Sequence, residues 1–481
     1  MALAGCLGGS DEEGSQVGES AGAGRGLNVV VVLTDDQEPA SLRVMKTVRR
    51  ELSSRGTSFS NAYATLPQCC PSRATFLTGQ YAHNHGVRGN EPELGGYARL
   101  ENSETIATWL DAAGYRTAWV GKFLNGYGEP DKSQVSGETA LTDVPEGWDR
   151  WWAPVDHTEA MMYGYALNEN GTVRRYGTSA RDYQTDVLAR RAAGFVRETA
   201  DAGDPFLLVV APTAPHRESD VRVGPSVVPA RDPRPASRHL GAFADEPLPR
   251  PPSFADRRLE DQPLAERLVA KYQGRPHGLN VPELRTGYRS RLESLLAVDE
   301  LIGRVTGELR RTGELDRTLV VFTSDQGFVL GEHRLVGKQL PYEESVRVPL
   351  VVRGPGIEAG RTISTPVANV DLAPTITEAA NASAGIEPDG VSLLDALRGN
   401  AEPPRRDILV EGFEELPFAG VRTPGGYAYF ETERGEVELY DLDADPYQLR
   451  NLAEQAGSTA LRDRLATRLA ELRECAGDVC R

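Results

Sequence analysis

Leu27-Asn28-Val29-Val30-Val31-Val32-Leu33-Thr34-Asp35-Asp36-Gln37 is a continuous apolar, β-branched run that ends abruptly in two carboxylates. A run without polar alternation marks a strand buried on both faces, as in a parallel sheet covered by helices. Similar runs recur at 115–120, 205–211 and 319–324, and helical periodicity lies at 105–113 and 288–310. The pattern predicts an α/β fold with a large, mostly parallel mixed sheet flanked by helices. In such sheets ligands bind beyond the carboxyl ends of the strands. Asp35 and Asp36 follow the first strand, Lys122 and Asn125 the second, His216 the third, and Asp325 with Gln326 the fourth. Each alone has a bland reading, a capped turn or a solvated charge. Together, two strands supply four oxygen ligands to one hard cation. His216, set after Pro212-Thr213-Ala214-Pro215, is a general-acid candidate.

The 481 residues exceed one ordinary domain, and the net charge is -17. That charge argues against nucleic acid as a partner, which needs a basic face. It mildly disfavours a large polyanionic substrate. No run of about twenty apolar residues exists to span a membrane.

Gln68-Cys69-Cys70-Pro71-Ser72-Arg73-Ala74-Thr75-Phe76-Leu77-Thr78-Gly79 carries the densest chemistry. Pro71 suits the first helical position, with Ser72 and Arg73 in the first turn and Cys69 just ahead of it. Free N–H groups and the helix dipole favour an anion there. By residue type alone Cys69 reads as a thiol nucleophile facing an oxyanion. Cys70 reads as a small buried residue. His83 and His85 read as groups holding the Cys69 loop. Lys122 and Lys338 are cationic candidates for an oxyanion, and His85, Asn125 and His333 are further candidates for contact with substrate. Asp299, on the apolar stripe of the 288–310 helix, reads as paired or capping.

Organisation divides at 27 and 403. Residues 1–26 combine Leu3-Ala4-Gly5-Cys6, which resembles a bacterial lipobox, with a Gly/Ser/Glu tether. With so few residues before it, the reading is a truncated lipoprotein signal, with Cys6 as lipid anchor, or an accidental match. Residues 27–402 form the catalytic domain, and 403–481 a smaller α+β subdomain with an antiparallel sheet and a terminal helix. The Pro- and Arg-rich stretch 217–282 is too long for an idle loop, its arginines lining a cleft or pairing with acidic surface. Cys475 and Cys480 are close enough for a disulfide, two free thiols being the alternative. A bridge suits an exported protein, at the cell surface or secreted.

In order, the motifs Asp35-Asp36, Cys69-x-Pro71-Ser72-Arg73, Gly121-Lys122, Pro215-His216, Ser324-Asp325-x-Gly327 and Gly337-Lys338 resemble the type I sulfatases of the alkaline phosphatase-like superfamily. Thr34–Gln37, 68–73, 121–128 and the terminal Cys475-x4-Cys480 are similar to the N-acetylglucosamine-6-sulfatases. The resemblance implies an alkaline phosphatase-like fold and hydrolysis of sulfate monoesters of a small molecule or glycan, 6-O-sulfated glucosamine among them. It implies one Ca2+, in preference to Mg2+, on Asp35, Asp36, Asp325, Gln326 and the modified Cys69. It also implies that a formylglycine-generating enzyme oxidises Cys69 to formylglycine. Arg73 would steady the hydrated aldehyde, Lys122 and Lys338 the sulfate oxygens, and His216 the leaving oxygen. Two positions depart from the common pattern. Leu124 stands where many sulfatases place a histidine, leaving the base for diol collapse unassigned with His85 as substitute, and Gln326 stands where Asn is common. A phosphate or phosphonate ester hydrolase of the same fold, or an inactive sulfoglycan-binding lipoprotein, are the other readings.

Overall fold

The computed structural model describes residues 26–481 except 219–220, 224–225, 229–230, 256–258 and 273–278. The expected lipid anchor at Cys6 and most of the tether lie outside the described residues. The first run is strand β1 (Asn28–Thr34), at the middle of one large sheet. The sheet also holds β2 (Thr57–Phe59), β3 (Arg116–Gly121), β4 (Arg150–Val155), β5 (Ala166–Glu169) and β6 (Val173–Arg175). Strands β7 (Phe206–Ala211), β8 (Thr318–Ser324), β9 (Leu350–Arg353) and β10 (Arg361–Ile363) complete it. Their order is β10-β2-β9-β8-β1-β7-β3-β4-β5-β6. The five strands β8-β1-β7-β3-β4 are parallel, and antiparallel pairs flank them on both sides.

The unbroken valines of β1 follow from this central place. Val29, Val31 and Leu33 enter one core, and Val30 and Val32 the other. The first core packs under helix α1 (Cys69–Thr78) and helix Leu372–Ala379, the second under α2 (Gln184–Ala202) and α3 (Val281–Thr312). With both faces covered, no position from Val29 to Leu33 can be polar without stranding a polar group in the core. The polar Asn28 and Thr34 at the two ends are hydrogen-bonded to Glu314 and Gln37. Helix α3 begins seven residues before the predicted span. Asn280 caps it by accepting from the Glu283 N–H, and Gly313 closes it at φ 79°. Asp299 accepts from the backbone N–H of Thr47 and Val48 at 2.8 and 2.9 Å, a structural role.

The C-terminal part forms the four-stranded antiparallel sheet Ile408–Gly412, Phe418–Arg422, Tyr427–Thr432 and Val437–Asp441, with helix Thr459–Leu472 beside it. Cys475 and Cys480 are bonded as a disulfide. Contacts of this C-terminal part with the rest of the chain are specific. The buried Arg422 guanidinium donates to Glu343 at 2.6 Å, and the Glu411 N–H to the Thr65 carbonyl at 2.7 Å. The His83 ring bridges the Glu411 carboxylate and the Cys475 carbonyl, each at 2.9 Å. Arg422→Ala is expected to cost up to about 3–5 kcal/mol in urea unfolding, because it leaves the buried Glu343 with only Arg347 at 3.7 Å and the Tyr63 hydroxyl at 3.4 Å. A loss below about 1 kcal/mol would show that the pair is effectively solvated.

Within 217–282 the sequence predicts arginines lining a cleft or pairing with acids, and the structure shows both. Arg231 and Arg234 pair with the buried Glu218, and Arg238 with Asp186 and Glu300. Arg217 and Arg231 also line a cavity of about 580 Å3 with Asp232, Glu283 and Arg291. The stretch carries a helix, Pro263–Tyr272, that buries Leu264, Ala265, Leu268 and Val269. That apolar spacing was a legible helical signal.

Candidate active site

Parallel packing brings the carboxyl ends of β1, β7, β3 and β8 to one edge, and α1 starts there. Helix α1 begins at Cys69, two residues earlier than Pro71 suggests. Pro71 is accommodated in the first turn because the N–H it lacks has no intrahelical partner there. All ten residues of α1 are buried, and Gly79 ends it at φ 72°. Ser72 anchors the helix, its hydroxyl donating to the Asp325 carbonyl while the Asn369 amide donates to the Ser72 oxygen at 3.0 Å.

The Cys69 sulfur lies 2.8 Å from Lys338 Nζ, 3.4 Å from Gln326 Nε2 and 3.7 Å from Asp35 Oδ1. Lys338 Nζ also reaches Asp36 Oδ1 at 2.7 Å, and Lys122 Nζ reaches Asp35 Oδ2 at 2.5 Å. Arg73 is fully enclosed. Its Nε donates to Asp325 Oδ2 at 2.9 Å, one terminal nitrogen to the Lys122 carbonyl at 2.6 Å, and the other to Asp35 Oδ2 at 3.4 Å. Asp325 Oδ1 accepts the backbone N–H of Asp36 and of Gln326. Asp36 holds φ 65°, a left-handed turn that a short polar side chain tolerates, and its carboxylate lies 3.6 Å from His216 Nε2.

The electrostatics follow from burial against charge. Burial opposes ionisation of Asp35, yet Lys122, His216, Arg73 and Lys338 hold it well below the usual carboxylate range. Asp36 is lowered against the same burial, chiefly by Lys338. Asp325 goes the other way, pushed up to about 7 by burial and by Asp35. Burial and then Asp35 push the Cys69 thiol up, so an unmodified thiol here is protonated at neutral pH and a weak nucleophile. Burial lowers His216 to about 4. Its Nδ1 lies 2.5 Å from the Arg217 carbonyl, which only accepts, so the neutral ring turns a bare Nε2 toward Asp36.

The donor set suits a hard divalent cation. The nearest atoms of Asp35, Asp36, Cys69 and His216 lie within 4.8 Å of one another, and the buried Gln326 Oε1 has no hydrogen-bond partner. Asp35 and Asp36 bring carboxylates to that group, and Asp325 stands beside it with its oxygens accepting from Arg73 and two backbone N–H groups. Carboxylate and amide oxygens are donors of the kind Ca2+ takes.

The structure thus gathers Asp35, Asp36, Cys69, Arg73, Lys122, His216, Asp325, Gln326 and Lys338. Three other candidates lie apart from that cluster. His85 is bound to Thr75 Oγ1 and the Val87 N–H, each at 3.1 Å, and burial lowers it to about 3. Asn125 gives its backbone N–H to the Cys70 sulfur at 3.0 Å, and its side-chain oxygen is buried without a partner. His333 has no exposure, stacks on Tyr342 at 4.1 Å and bonds Gln262 at 2.7 Å, so packing accounts for it rather than substrate contact. Sequence reasoning passed over Arg291. Its guanidinium donates to the Asp36 and Pro215 carbonyls and to Glu38 at 2.7 Å, tying β1 to the His216 turn. An arginine on the buried stripe of α3, between Tyr288 and Leu292, was the available signal.

Comparisons with known proteins give the family. The sequence profile of the sulfatase family matches residues 27–382, and that of the N-sulphoglucosamine sulphohydrolase C-terminal region matches 331–475. The human N-acetylglucosamine-6-sulfatase is 32% identical over 527 aligned positions, covering 100% of this chain and 89% of that protein. A solved structure of a protein in complex with its substrate D-glucosamine-2-N,6-O-disulfate superposes with a TM-score of 0.76 at 25% identity, covering 94% of this chain and 98% of that one. A phosphonate monoester hydrolase from Silicibacter pomeroyi shares the fold, with a TM-score of 0.71 at 23% identity and coverage of 93% and 95%. Profile, relatives and fold converge on one conclusion: the chain belongs to the sulfatase family and is a sulfuric ester hydrolase.

Proposed function

We propose that this enzyme removes sulfate from sulfated sugars, 6-O-sulfated glucosamine among them, using a formylglycine formed from Cys69. The observation that carries the reading is the setting of Cys69. Its sulfur sits against Lys338, Gln326 and Asp35, in a place where a plain thiol is held protonated. Hydrated formylglycine would supply a hydroxyl that attacks sulfur and a second one that releases sulfate. A Ca2+ held by Asp35, Asp36, Asp325 and Gln326 would supply Lewis-acid activation of that hydroxyl.

The chain's own groups then divide the work. Asp35, Asp36 and Asp325 balance Arg73, Lys122 and Lys338 in charge, so an added divalent cation leaves the pocket net positive. That excess favours an anionic sulfate ester in a chain of net charge -17. Lys122 and Lys338 face the sulfate oxygens, where charge grows in the transition state. Arg73 orients the residue at 69 through Asp35 and Asp325. His216 lies at the open edge of the cluster, and the negative charge of a bound sulfate ester raises its affinity for the proton that the leaving oxygen needs. The disulfide Cys475–Cys480 supports an exported enzyme.

Intact mass and peptide mapping of active enzyme test the modification: formylglycine at 69 is the expected result, and a thiol there in active protein would sink the mechanism. Dialysis against a chelator is expected to lower kcat by roughly two orders of magnitude, with Ca2+ restoring it. The ratio of kcat/KM on an aryl sulfate to that on an aryl phosphonate is expected to exceed one. The reverse order would move the protein to phosphonate ester hydrolysis on the same fold.

A further inference from the structure

Away from the catalytic cluster, the outer edge of the large sheet carries a concentration of positive charge at odds with the rest of the molecule. A groove of about 900 Å3 lies between β6 and α2, lined by Arg174, Arg175, Arg181, Arg190 and Arg191, with Asp182 as the one carboxylate on its wall. Two of the five are neutralised by acids outside the lining. Arg175 pairs with Asp156 at 2.7 Å and Arg191 with Glu169 at 2.7 Å. The other three are not. Arg181 is 88% exposed and comes no nearer than 4.0 Å to Asp182. Arg190 donates to the Arg181 carbonyl at 2.7 Å, and Arg174 lies over the Tyr176 ring at 5.7 Å. Neither Arg174 nor Arg190 has a carboxylate partner among the described residues. Clustered guanidiniums repel one another, and this chain of net charge -17 has acidic side chains to spare for pairing them. Leaving them open is what an anion site requires.

The register of the sheet places this groove relative to the catalytic centre. Val120 pairs with Trp152, Val155 with Ala166, and Ala166 with Arg175. Counting along the strands, Arg175 lies within about one residue of the level of Lys122, at the same edge of the sheet. Three strand spacings separate β3 from β6, or about 14 Å across. A chain-like ligand with one sulfate at the catalytic lysines can therefore lay later anionic groups over the arginines.

We propose that this groove is a second binding site, outside the catalytic pocket, for a length of sulfated glycan held by Arg174, Arg181 and Arg190. The choice of a sulfated glycan over other polyanions rests on the sulfatase reading of the neighbouring pocket. Spaced sulfate groups match planar forks that bind oxyanions two oxygens at a time. The site would let an acidic enzyme retain polymeric substrates that its overall charge repels.

The test uses full-length protein carrying Cys69→Ala, which binds without turning over, and a fluorescent heparin decasaccharide as probe. Arg174→Gln with Arg190→Gln, both on exposed side chains, is expected to weaken binding at least about tenfold at physiological salt. In the active enzyme the same pair is expected to raise KM for a sulfated decasaccharide by a similar factor. It should leave kcat, and kcat/KM for glucosamine 6-sulfate, unchanged. Equal affinity of parent and variant would overturn the proposal. So would tighter binding of a duplex DNA of equal charge that the same substitutions abolish. The binding arm needs no catalysis, so failure of the sulfatase reading would show as absent turnover with the decasaccharide still bound.

Discussion

Cys69→Ala is expected to lower turnover of a sulfate monoester by roughly 10^4- to 10^6-fold while the protein stays folded, because on the proposed mechanism it deletes the group that makes the covalent intermediate. The neighbouring residue supplies the control. Cys70 has no exposure, accepts the Asn125 N–H at 3.0 Å, and has its thiol pushed far up by burial and by Cys69. Cys70→Ala should cost stability through the small cavity it leaves and keep kcat within about tenfold, since Cys70 touches no carboxylate or lysine of the cluster. Two adjacent thiols, one indispensable and one not, give a sharp measurement. Single-turnover kinetics on both variants, with circular dichroism to confirm folding, would read it. Turnover of Cys69→Ala within tenfold of the parent would end the nucleophile assignment.

Arg73→Ala is expected to cost about 3–5 kcal/mol of unfolding free energy in metal-free buffer, and to lower kcat as well. Arg73 has no exposure, and its guanidinium is shared between Asp35 and Asp325, with a third bond to the Lys122 carbonyl. Without it, Asp325, already pushed up to about 7, takes up a proton more readily still. Added Ca2+ should narrow the stability gap, because it compensates the same carboxylates and binds only the folded state. Denaturant unfolding with and without Ca2+ measures this. A calcium-independent gap would separate the arginine from the cation site, and a gap below about 1 kcal/mol would mean that the carboxylates find other partners.

Some of this site was legible early because its parts obey local rules. The valines of β1 announce burial on both faces, and the residues after β1, β3, β7 and β8 lie at strand ends whatever the remainder of the chain does. The motif around Cys69 reads as a helix start from Pro71 and the following residues alone. Asp299 is read in the sequence as a charge on an apolar helical stripe; Arg291 carries the same signal, and only the structure brought it out. His333 shows the opposite case. Its neighbours in sequence are polar and suggest a loop near substrate, yet the ring is stacked on Tyr342, which meets Phe430 of the C-terminal sheet, and bonded to Gln262 just ahead of helix Pro263–Tyr272.

By itself the sequence determined the buried central strands, the α/β class and the candidate groups at their ends, since hydrophobic period and residue type are local properties. The short flanking strands 57–59, 150–155, 166–169, 173–175 and 361–363 carry no such run. Only the tertiary structure decided which of those groups meet. Asp35 and Asp325 are separated by 290 positions and touch through one guanidinium because β1 and β8 are paired in parallel register. The arginines of β6 and α2 form one groove for the same reason: strand pairing and helix packing, not spacing in the chain, set the distance between charges. Register is fixed by burial of whole faces at once, and no single motif carries that information.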